Sequence, residues 1–135
     1  PVTLTNNNTY DLMQIADCAI AASGTVTLEA AIMQLPSVIV YKVKPTTYWL
    51  VRCLANVSHV GLPNIVIGRR ILPELIQDMA TSANVSQAAL QLMNDSAVRA
   101  QALADLKEVR MILGEPGAVL RVADIVLDVA AEKRR

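Results

Sequence analysis

Phenylalanine is absent from the 135 residues, and aromatic residues of every kind make up only 3% of them. With hydrophobic residues at 53% there is ample material for a core, but it must be aliphatic. Such a core suits helices packed on a buried sheet. Net charge is zero. A duplex nucleic-acid binder carries a basic excess, so no nucleic-acid partner is expected. One histidine and two cysteines, Cys18 and Cys53, are the only soft metal ligands besides methionine. They share no CxxC spacing and no DxD run accompanies them, so no metal or cofactor is implied and two reduced, buried thiols are expected. GxGxxG and Walker sequences are missing too, which leaves the generic nucleotide motifs silent. No apolar run is long enough to cross a bilayer, and nothing resembles a secretory leader. The chain opens at Pro1 in mid-pattern, without a methionine, and is expected to be a piece of a larger protein.

The charges that are present are unevenly placed. No basic residue precedes Lys42, and no acidic residue falls between Ala30 and Pro73. Lys42, Lys44, Arg52, Arg69 and Arg70 all lie in or at the edge of that acid-free stretch, which points to an anionic ligand or surface nearby or to ordinary solvated cations.

Periodicity and punctuation predict alternating strands and helices. Val2 to Thr5 reads as a strand end, Tyr10 to Ala16 as a short helix behind a Thr9 cap, and Cys18 to Ala22 as a buried parallel strand. Ser23-Gly24-Thr25 breaks that strand before a helix from Val26 to Gln34, and Ser37 to Val43 is the clearest strand. A helix is expected from Thr46 to Ala55, a turn or strand end at Leu62-Pro63-Asn64, and a short helix from Leu72 to Met79. Three further helices follow: Val85 to Met93, capped by Ser82 or Asn84, then Ala97 to Leu113, then Ala118 to Glu132 beyond a break at Gly114, Pro116 and Gly117. The fold class is therefore α/β, a parallel sheet flanked by helices with a helical C-terminal part.

The segment richest in chemistry is Ala21-Ala22-Ser23-Gly24-Thr25-Val26-Thr27-Leu28-Glu29. Strand, glycine turn and helix start follow one another there. The first amides of a helix lack intrahelical partners and carry partial positive charge. Gly24 leaves the backbone approachable, and Ser23 and Thr25 bring hydroxyls. Such a turn forms a phosphate cradle outside the carboxyl ends of the strands, or an ordinary helix cap. Glu29, one turn further, could accept hydrogen bonds from a ribose diol, or stand as an exposed helix glutamate.

The runs SGTVTLEAA, YKVKPTTYWLVRCL and GLPNIVIGRRILPELIQ occur in that order, with Pro36 and a strand between the first two. From about Asp17 to Gln77 the chain thereby resembles lipid-A-disaccharide synthase. The resemblance implies one half of a glycosyltransferase B fold, the C-terminal Rossmann-like half that holds the nucleotide-sugar donor. The whole of residues 1–135 would be that single UDP-sugar-binding domain, and the N-terminal half with the acceptor site and catalytic acid-base residues would be missing. The implied reaction transfers 2,3-diacylglucosamine from UDP to 2,3-diacylglucosamine 1-phosphate, giving lipid A disaccharide phosphate and UDP. By resemblance, Ser23, Gly24 and Thr25 match the diphosphate turn, Glu29 the ribose-side glutamate, and Asn64 a polar ligand contact. Arg69 would face phosphate or pair with Glu74. His59 receives no catalytic role, and no catalytic residue is expected in this half.

Tyr48, Trp49 and Arg52, with Lys42 and Lys44 nearby, combine rings and cations in a manner that suits a membrane interface, a packed helix, or a contact with the missing half. The acylated substrates that the resemblance implies would place a peripheral contact at the cytoplasmic face of a bacterial inner membrane. The helices beyond Ala97 could pair two copies of the chain, as the resemblance also implies. Against the donor-site reading stand a non-catalytic dimerisation module and another UDP-sugar transferase or epimerase of the same fold.

Overall fold

A computed structural model describes residues 2–44, 46, 48 and 58–132. Three parallel strands form one sheet in sequential order, β1 (Ala19–Ala22), β2 (Ser37–Tyr41) and β3 (Glu74–Ile76). Ala19 to Ala22 run beside Ser37 to Val40, and Ile39 to Tyr41 run beside Glu74 to Ile76. Around the sheet lie α1 (Thr9–Ile15), α2 (Thr25–Ile32), α3 (Leu62–Ile67), α4 (Ser82–Asn94), α5 (Ser96–Leu113) and α6 (Ala118–Glu132), with a 3-10 turn at Gln77–Met79. The chain is α/β, as its alternating pattern predicts.

The middle strand decides the layering. Successive side chains of a strand point to opposite faces. Ile39 packs on one side with Ala31, Leu72, Leu106 and Val109. Val38 packs on the other with Leu75, Leu92 and Ala102. Burial on both sides is why β2 reads as an unbroken apolar run. A separate cluster of Met13, Ala30 and Leu35 seats α1 against α2. The helix ends are held by local caps. Thr81 accepts from the Asn84 amide at 3.2 Å, and Asp95 accepts from Ala97 and Val98 at 3.0 and 3.1 Å.

Four expectations are revised. Val2 to Thr5 form no strand; Val2 and Leu4 are 92% and 93% exposed, and a strand without a neighbour has nothing to hold it. Leu62-Pro63-Asn64 is not a turn or strand end but the start of a helix, Leu62–Ile67, with Pro63 in its first turn and Gly68 closing it in the left-handed region at φ 75°. Leu72 to Met79 is not a helix, because Glu74 to Ile76 pair with β2 and tertiary pairing overrides the local pattern. Cap positions shift as well: that of α4 is Thr81 rather than Ser82 or Asn84, and that of α1 is Asn8 rather than Thr9. Of the helix expected from Thr46 to Ala55, Thr46 and Tyr48 are helical and the remainder lies outside the described residues.

The last helix has the predicted bounds but a different setting from the others. Every side chain from Ala118 to Ala131 is exposed, including Val122, Ile125, Val126 and Val129.

Candidate functional site

The turn between β1 and α2 sits at the carboxyl end of the sheet. Gly24 occupies the helix N-cap with φ 157° and ψ −168°, a conformation that side chains rarely tolerate. Among the described residues a Cβ built on it would meet nothing within 4 Å, so they leave the space above the turn open. The amides of Gly24, Thr25 and Val26 find no hydrogen-bond partner among the described residues, and neither does the Thr25 hydroxyl. Thr25 is exposed and Gly24 half-buried. The inner side of the turn is closed: the Gly24 carbonyl accepts from the Thr27 amide at 3.1 Å and from the buried Thr27 hydroxyl at 2.7 Å. Tied from within and bare outside, the turn presents adjacent N–H groups at a helix start, a fixed partial positive charge for an anion. Glu29 lies one turn along α2, half-buried, its carboxylate without a partner among the described residues.

Ser23 has a different part from the free donor expected of it. Its amide donates to the Val40 carbonyl at 3.0 Å, and its hydroxyl donates to the Val60 carbonyl at 2.7 Å. The loop it reaches is held in turn by Glu74. This carboxylate is only 8% exposed; Oε1 accepts from the amides of Val60 and Gly61 at 3.1 and 2.8 Å and from Asn64 Nδ2 at 2.8 Å. Gly61 passes so near Ile39 that a Cβ would collide with that side chain.

Asn64, expected to meet a ligand, has no spare polar capacity. Fully buried, it donates to the Leu72 carbonyl and to Glu74, and Oδ1 accepts from both Ile71 and Leu72 at 2.9 Å. Two donor and two acceptor sites are thus filled by the protein itself. Arg69 does not pair with Glu74. It bridges Asp105 and Glu108, each at 2.8 Å, and the hydrogen-bonded Asp105 carboxylate, with Glu108 beside it, raises the guanidinium's pKa and holds it more firmly charged. Arg70 is the cation near Glu74, donating to its backbone carbonyl at 2.8 Å. Tyr48 is half-buried, while Trp49 and Arg52 lie outside the described residues. His59 is half-buried in the loop before α3.

Glu74 and Gln77 are the residues that motif reading passed over. Gln77, in the left-handed region at φ 51°, grips the backbone of Val43 from both sides, accepting at 2.9 Å and donating at 3.0 Å. The available signal was an acid set between Pro73 and Leu75 directly after a long acid-free stretch, since a carboxylate among apolar residues needs partners.

Residues 2–121 match the family described as lipid-A-disaccharide synthetase. The chain belongs to that family. Among its relatives, the lipid-A-disaccharide synthase of Geobacter sulfurreducens is 43% identical over 132 residues, covering 98% of this chain and 34% of the relative. That of Anaeromyxobacter dehalogenans is 44% identical over 128 residues, covering 95% and 33%. That of Synechocystis sp. is 41% identical over 129 residues, covering 94% and 33%. The chain therefore spans about a third of the length of the curated relatives it matches. Membership in the family accords with the resemblance carried by the SGTVTLEAA, YKVKPTTYWLVRCL and GLPNIVIGRRILPELIQ runs.

Proposed function

We propose that this chain is the donor-binding part of a lipid A glycosyltransferase, holding UDP-2,3-diacylglucosamine by its diphosphate at the start of α2. The observation that carries the reading is the run of three amides, Gly24 to Val26, without partners among the described residues and under open space. A diphosphate would satisfy them and be favoured by the helix end. Glu29, half-buried and without a partner among the described residues, is the acceptor for the ribose hydroxyls. During transfer the leaving UDP gains negative charge, and oriented amides already in place stabilise that charge without rearranging. The 2,3-diacylglucosamine would pass to 2,3-diacylglucosamine 1-phosphate, giving lipid A disaccharide phosphate and UDP.

The acceptor site and the acid-base residues are assigned to the N-terminal half, so this chain alone binds UDP without turnover. The enzyme works at the cytoplasmic face of the bacterial inner membrane, where its acylated substrates reside. In this reading the contact is peripheral, with Tyr48, Trp49 and Arg52 as the residues that touch lipid; among the described residues no helix is long and apolar enough to cross a membrane. The bare apolar side of α6 is the surface we assign to a second copy of the chain.

Titration of the 15N-labelled chain with UDP tests the site. Shifts are expected at Gly24, Thr25, Val26 and Glu29. Shifts confined to other regions, or none at millimolar UDP, would sink it.

A further inference from the structure

The peptide group between Val60 and Gly61 is gripped at both poles. Its N–H donates to Glu74 Oε1 at 2.8 Å, and its carbonyl accepts from the Ser23 hydroxyl at 2.7 Å. A peptide group is planar and rigid, so fixing one pole fixes the direction of the other. The bond to the carboxylate also polarises the carbonyl and strengthens the bond from Ser23. Ser23 is the residue next to Gly24, and its own amide is anchored on Val40. We propose that Glu74 is a positioning residue for the anion seat, acting on Gly24 and Thr25 through the Val60–Gly61 peptide and Ser23. This rests on the donor-site reading above and adds to it a buried residue on a different strand that never touches the ligand.

The local packing makes the grip specific. Gly61 can lie over Ile39 only because it has no side chain. Asn64 holds the same Glu74 oxygen from α3, at 2.8 Å, so the carboxylate cannot swing away from the peptide without abandoning a second bond. The Ser23 hydroxyl has one acceptor among the described residues, and it is this carbonyl.

The test is a double-mutant cycle on the 135-residue chain with Ser23→Ala and Glu74→Gln, read by UDP titration and by amide spectra without ligand. Glu74→Gln keeps the shape and one acceptor oxygen but removes the charge. Each single variant is expected to weaken UDP binding by about threefold to fivefold, the loss of one ordinary hydrogen bond. The double variant should fall short of the product of the two, since both break one path. In ligand-free spectra Gly24 and Thr25 should move in Glu74→Gln. A multiplicative double variant, or unmoved Gly24 and Thr25 signals, would overturn the relay while leaving the donor site intact. If wild type fails to bind UDP, the donor site falls and the ligand-free shifts alone decide the relay. If Glu74→Gln does not fold, the reciprocal reading in Ser23→Ala decides it: the Gly61 amide and the Asn64 side-chain amide must shift, and their staying put would refute the proposal.

Discussion

Two polar regions lie close together in this fold and treat their hydrogen-bonding groups in opposite ways. Around Glu74 and Asn64, a buried carboxylate and a buried carboxamide are met by backbone and side-chain partners at 2.8 to 3.2 Å. At Gly24 to Val26, three amides are left without partners among the described residues beneath open space. A buried polar group without a partner is costly, whereas one at the surface is solvated at little cost and available to a ligand. The first region holds the chain together. The second is where something else can be held.

That contrast can be broken most severely at Asn64. Asn64→Ala should cost about 3 kcal/mol of stability, because the Ile71 and Leu72 amides lose their acceptor in a dry interior. Urea unfolding would measure it; a loss well under about 1 kcal/mol would mean water replaces the side chain. Gly61→Ala should come next, destabilising by roughly 1–3 kcal/mol through overpacking against Ile39, visible as a lower melting temperature. At the open turn the balance should reverse. Thr25→Ala should change stability by less than about 0.5 kcal/mol, as expected for an exposed position, yet weaken UDP binding measurably in calorimetry. A change in stability without one in binding would reverse the roles assigned to the two regions.

The smallest effect is expected at Cys18. Burial raises its thiol pKa, partly opposed by the charge of Arg99. A raised pKa means that folding favours the neutral thiol. The associated stability is fully present below the unfolded-state value and lost as pH rises through the folded one. Comparing wild type with Cys18→Ala on both sides of that range should show the wild type losing slightly more stability at alkaline pH.

Much of this was legible in the chain. β-branched residues marked β2, and glycine and proline punctuation marked the start of α2 and the break before α6. The proposed seat is legible in the order strand, glycine, helix. The division of labour around it did not. Whether the Ser23 hydroxyl faces a ligand or the Val60 carbonyl depends on a loop brought in from 37 positions away. The resemblance implies a ligand contact for Asn64, and for Arg69 either phosphate or a pairing with Glu74. Their partners are set by folding: Glu74, 10 positions on and in β3, for one, and Asp105 and Glu108, 36 and 39 positions on and in α5, for the other. Local pattern could not show β3 either, since a three-residue strand exists only through its neighbour.

The last helix has a practical consequence. From Val119 to Val129 it turns seven large aliphatic side chains to water, each at least 52% exposed. Hydrocarbon left wet on that scale favours contact with almost any other oily surface. Kosmotropic salts strengthen that tendency, so this polypeptide should precipitate at low ammonium sulfate and be retained strongly on phenyl resin, and trimming it before Ala118 should ease both behaviours.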